Sequence, residues 1–171
     1  MAAEAAASEL VLHTISGPED PRLPAVLALS NAIFNSDPAS KHGSLDAWRE
    51  RLANPISQIV FLAPSTAPSE DETAIRPVGF LFVIPRATEP PLNNGVVHSA
   101  HVWIAGVRPE WRRGGCLATM VDALDRFEHL TLCTFPARFP DMWAWLNRRG
   151  WVQERELGDG KILLSRSKKL P

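Results

Sequence analysis

The chain has 171 residues, 45% apolar and 22% charged, a globular balance that fits a single domain over 1–171 and excludes disorder. Eighteen Lys and Arg against 19 Asp and Glu leave a formal net charge of −1, so no electrostatic feature marks nucleic acid as a partner. Two cysteines, Cys116 and Cys133, are too few for a disulfide framework, and no apolar run is long enough to make a membrane helix. The alanine-rich start lacks the basic flank and apolar run of a signal peptide, and the arginines of a transit peptide. The expected setting is therefore cytoplasmic, with nuclear access left open.

In chain order, residues 9–15 are short and rich in β-formers and predict a first strand, closed by Ser16-Gly17-Pro18. Asp20-Pro21 resembles a helix cap followed by proline at the first helical position. Leu23, Val26, Leu27, Ile33 and Phe34 then recur at helical spacing. Ser44 predicts the cap of a short second helix with Leu45, Trp48 and Leu52 on one face. Strands are expected over 57–63 and 77–84, separated by a polar loop over 64–76. A second loop, 85–94, carries three prolines and an Asn-Asn-Gly turn signal. A strand over 98–107 leads to a helix over 112–128 with the stripe Leu117, Met120, Val121, Leu124 and Phe127. A strand over 130–135, a helix over 140–149 stopped by Gly150, and a hairpin around Asp159-Gly160 complete the chain. The order βααβββαβαββ predicts an α/β (α+β) fold, a mixed sheet of six or seven strands flanked by four helices.

The most informative stretch runs from Val107 to Met120. A strand ends, Pro109 turns the chain, and an arginine-rich glycine loop opens a helix. Backbone N–H groups from Arg113 to Ala118 and the positive end of the helix dipole suit an anion. Gly114 and Gly115 let a phosphate approach the backbone, while Arg112 and Arg113 supply charge-assisted hydrogen bonds.

Val107-x-Pro109-x-Trp111-Arg112-x-x-Gly115 resembles the acetyl-CoA signature of the GNAT N-acetyltransferase superfamily. Arg148-Arg149-Gly150-Trp151 resembles that family's ending from helix to strand, and the element order resembles its fold over nearly the whole chain. The resemblance implies acetyl-CoA as co-substrate. Its pantetheine would lie along Ala105, Gly106 and Val107, and its pyrophosphate on Arg112, Arg113, Gly114, Gly115, Cys116, Leu117 and Ala118. Two departures stand out. Leu117 occupies the position of the signature's final Gly or Ala. Leu146 occupies that of a tyrosine often used as general acid, and the chain contains no tyrosine at all. Phe139 replaces an asparagine often found nearby in the family.

For proton transfer, His101 is the base candidate, since histidine titrates in the useful range and some family members carry a histidine six residues before the signature valine. Cys133, on the strand expected to form the far wall of the cofactor opening, is the acid candidate. His98 reads as a solvated residue, and His13, His42 and His129 as structural or exposed. Trp103, Trp143 and Trp145 read either as an aromatic acceptor pocket or, more often at such positions, as core packing. By analogy with the family, Phe34 and Asp37 are expected at the acceptor mouth, Asp37 reading either as a contact for a substrate cation or, more readily, as an exposed loop aspartate. No cluster has metal-ligand spacing, and no metal is expected. These readings point to direct acetyl transfer to a small-molecule primary amine. The two proline-containing loops favour a narrowed entrance over a protein or peptide acceptor. A catalytically weak CoA-binding module is the alternative of another class, and a homodimer stays open.

Overall fold

β-Branched and aromatic runs become strands here because they pack well on a pleated, half-buried surface. The computed structural model describes residues 9–65 and 75–168. Its elements are β1 (Leu10–Ile15), α1 (Leu23–Phe34), α2 (Leu45–Leu52), β2 (Gln58–Pro64), β3 (Gly79–Ala87), β4 (His98–Val107), α3 (Cys116–Asp122), β5 (His129–Thr134), α4 (Pro140–Arg148), β6 (Val152–Glu156) and β7 (Ile162–Ser167). This is the predicted order. The strands form one sheet in the order β1-β2-β3-β4-β5-β7-β6, parallel only between β4 and β5.

Strand alternation divides the core between the two faces of the sheet. Phe61, Phe80 and Phe82 point to one face and pack with Val26, Trp48 and Leu52 of α1 and α2. Leu62, Leu81 and Val83 point to the other and pack with Met120 and Val121 of α3 and Leu146 of α4. No described helix is long and apolar enough to cross a membrane.

Three local expectations are corrected. Helix α1 begins at Leu23, not after Asp20: the Asp20 carbonyl closes only a three-residue turn with the Leu23 N–H at 3.1 Å, and the first four-residue bond runs from the Val26 N–H to the Arg22 carbonyl at 3.4 Å. Strand β3 continues through Pro85 and Arg86, expected as loop, to Ala87. β2 pairs with it only as far as Val83, so one edge of β3 is vacant beyond that point and proline is tolerated. The helix expected over 112–128 shrinks to α3, preceded by one 3-10 turn, Pro109–Trp111. Arg113 and Gly115 have φ of 67° and 81°, left-handed values that a right-handed helix cannot continue through. Ser44 caps α2 as expected, its Oγ accepting from the Ala47 N–H at 3.3 Å. Of the predicted loop over 64–76, residues 66–74 lie outside the described residues.

Candidate active site

The site is built on a failure of pairing. β5 pairs with β4 only at Ala100↔Leu130, His101↔Thr131 and Val102↔Leu132. β4 runs on to Val107 and β5 to Thr134, so the two parallel strands part and leave a gap. Along it, the edge of β4 from 103 to 107 presents backbone polar groups without a strand neighbour. Ala105, Gly106 and Val107 are held from the other side by Leu81, Phe80 and Gly79 of β3.

A bulge marks the apex of the gap. Phe82 pairs with Ile104 and Val83 with Val102, which leaves Trp103 as the extra residue on β4. Its indole packs on the α1/α2 face, with centroid distances of 6.2 Å to Trp48 and 5.3 Å to Phe82. Further along, a Cβ on Gly106 would lie 3.1 Å from Ile33 and 3.3 Å from Phe34. Glycine therefore lets α1 rest directly on β4, and Phe34, 44% exposed, stands at the rim of the gap.

At the end of β4, Arg112 donates its Nε–H to the Val107 carbonyl at 3.0 Å. Among the described residues, none accepts a hydrogen bond from the N–H groups of Arg113 to Ala118; Thr119, donating to Gly115 O at 3.0 Å, is the first engaged. Left-handed conformations at Arg113 and Gly115 curve this run of donors into a concave nest of the kind that binds anions. Cys116 is buried, with its Sγ 3.6 Å from the Trp111 carbonyl. Leu117 is half-buried and packs on the core, and Ala118 is likewise half-buried.

His101 is 8% exposed, on the α1/α2 face just before the apex. Arg86 Nη1 lies 3.2 Å from its Nε2, and Thr131 Oγ1 lies 2.9 Å from its Nδ1. A guanidinium can only donate, so Nε2 accepts and the ring proton sits on Nδ1, bonded to Thr131. Thr131 continues to Ser99 Oγ at 2.9 Å. Burial first, then the charges of Arg86 and Lys161, push the imidazole down to about 3. The expected base is therefore a neutral, fully engaged ring across the physiological range. Arg86 also donates to Cys133 Sγ at 3.5 Å, so the two proton-transfer candidates share one guanidinium partner. Cys133 is half-buried and lies one residue past the last β4–β5 pair.

The remaining candidates separate. Asp37 is exposed, its carboxylate accepting from the Ala39 N–H at 2.8 Å in a local turn. Trp143 and Trp145 belong to α4 and pack on the opposite face from Trp103, which corrects the three-tryptophan pocket. Leu146, at the position of the absent tyrosine, is wholly buried. His42 and Arg51 stack against Trp103, and Arg86 bonds His101 and Cys133; none of the three was expected at the site. His42 lies between α1 and α2, Arg51 on α2 and Arg86 on β3, so no local spacing could have joined them. A cavity of about 500 Å³ lies away from the gap, at the starts of β4 and β5, lined by residues such as Ile56, Ser99 and Phe127.

The chain's fold is that of the GNAT acetyltransferases. It is similar to Arabidopsis thaliana NAA60 in complex with acetyl-CoA, with TM-score 0.66 and 10% identity over 93% of this chain and 98% of that one. An acetyltransferase of the GNAT family from Streptococcus pneumoniae superposes with TM-score 0.61 and 12% identity, over 94% of this chain and 100% of that one. The aminoglycoside acetyltransferase meta-AAC0020, from an uncultured soil metagenomic sample, gives TM-score 0.61 and 15% identity over 87% and 93%. No family model matches the sequence, and no curated protein matches it.

Proposed function

We propose that this chain is an acetyl-CoA-dependent N-acetyltransferase that moves an acetyl group directly onto the primary amine of a small molecule. The observation that carries the reading is the parting of β4 and β5 after Val102↔Leu132, with the donor-rich loop 112–118 at the end of β4. Pantetheine is a chain of amides, and the free edge 103–107 offers it the partners of an added strand. The pyrophosphate finds the N–H groups of 113–118 and the guanidinium groups of Arg112 and Arg113. Leu117, packed on the core, leaves that approach open.

In the reaction the amine nitrogen attacks the thioester carbonyl, giving a tetrahedral intermediate that collapses with loss of the CoA thiolate. The nitrogen sheds one proton and the thiolate gains one. With its lone pair engaged by Arg86, His101 serves to hold that guanidinium, and the amine arrives neutral or loses its proton to water. Cys133 is the proposed proton donor to the thiolate, recovering its proton through solvent. A second reading, CoA binding without turnover, is favoured by the buried Leu146 in place of a tyrosine.

One experiment separates these. Acetyl-CoA at a hundredfold excess over its Kd should stabilise the native state by about 2.7 kcal/mol. Free thiol should then appear on addition of a suitable amine, more slowly in Cys133→Ala with acetyl-CoA affinity kept. No thermal shift at millimolar acetyl-CoA overturns the proposal; a shift without thiol release across a broad amine panel favours the second reading.

A further inference from the structure

The acceptor side of the gap is cationic, and its charges have no acidic partners among the described residues. Arg51 of α2 lies over the Trp103 indole at 4.1 Å, and His42 stacks on the same indole at 4.9 Å. The Arg51 Nε is buried with no hydrogen-bond partner among the described residues. Arg86 reaches the cluster from β3 through His101 and Cys133. Lys161 completes it from the β6–β7 hairpin, where Asp159 and Gly160, with φ of 53° and 77°, turn the chain as in a type I′ turn. Its charge acts on both His42 and His101. Burial does most to lower each ring's affinity for a proton, followed by the charges of Lys41, Arg51 and Lys161 for His42, and of Arg86 and Lys161 for His101.

None of Lys41, Arg51, Arg86 or Lys161 forms an ion pair among the described residues. Two candidate acids are already engaged. Asp37 accepts from Ala39, and Glu154 accepts from Ser165 Oγ and the Asn93 N–H. Such a cluster of cations repels polyamines and other multiply charged amines, and it attracts a counter-anion.

Building on the proposed acetyl transfer, we infer that the acceptor is a primary amine that also carries an anionic group, held by Arg51 and Lys161 beside Trp103. A guanidinium stacked on an indole keeps its N–H edge free, and that edge fits a carboxylate or phosphate in bidentate fashion. The same cations disfavour an ammonium at the thioester, which supplies the neutral nucleophile without a histidine base. One arrangement thus both selects the substrate and prepares it.

The test is calorimetric titration of the protein, alone and saturated with CoA, with four amines of similar size. These are β-alanine, O-phosphoethanolamine, ethanolamine and 1,3-diaminopropane. At least one of the two anionic amines should bind tenfold or more tighter than ethanolamine, with the diamine weakest; their relative order tells carboxylate from phosphate. Arg51→Gln with Lys161→Gln should erase that preference and leave CoA affinity unchanged. Lys161→Gln alone, in the hairpin and outside the core, should reduce it and guards against misfolding of the double variant. Tighter binding of the diamine, an unchanged preference in the variants, or an equal loss of CoA affinity overturns the inference. Acetyl transfer is read separately by thiol release, so the binding preference stands or falls on its own.

Discussion

At the scale of single residues, His101 shows how burial rewrites a side chain's chemistry. An imidazole in water titrates near neutrality, while this one is pushed down to about 3 by burial and by Arg86 and Lys161. The unfolded chain therefore binds a proton below its ordinary value of 6.5 that the folded protein refuses until about 3. It follows that His101 contributes stability present above the unfolded value and lost as pH falls through this window, at up to about 1.4 kcal/mol per pH unit. Urea unfolding of the protein and of His101→Gln at pH 6 and pH 4 checks the sign. The advantage of the parent over the variant should shrink by about 2 kcal/mol on acidification; a constant difference would show that the ring titrates normally. The histidine was legible as a site candidate because its distance from the signature valine is a sequence fact. Its role was not, because Arg86 sits in a stretch whose proline and Asn-Asn-Gly signal read as loop.

At the scale of elements, the β-strand patterns carried most of the fold, since alternation and turn residues are local properties. The register that opens the site was invisible in them. Trp103 looks like any aromatic strand residue, yet it is the bulge that separates the Phe82 and Val83 pairings. Helix α3 was overestimated because the apolar stripe continues through Leu124 and Phe127 after the helix has ended at Asp122. Seven residues are too few for backbone bonding alone to sustain a helix; burial of Cys116, Met120 and Val121 holds it in place. Gly106 gives the direct test of element packing. A valine there would drive into Ile33, Phe34 and Phe80, each within 3.3 Å of the new Cβ. We expect Gly106→Val to cost about 1–3 kcal/mol in denaturant unfolding and to push α1 off β4. Parental stability in that variant would mean that α1 does not rest on the strand.

At the scale of the whole molecule, the sheet divides labour between its faces. The loop that opens α3 follows the end of β4, while Arg51 and His42 flank Trp103 on the α1/α2 face. The signature stretch made the cofactor side legible, because strand, turn, glycine loop and helix are contiguous in the chain. The acceptor side was not, because Arg51, His42 and Trp103 meet only in the folded chain.

Amide hydrogen exchange with and without acetyl-CoA shows whether the free edge of β4 takes the pantetheine. Bound acetyl-CoA should slow exchange at 103–107 and 113–118 and leave β1 and β2 unchanged. Acetyl-CoA binding that leaves both of those segments unprotected would contradict the account.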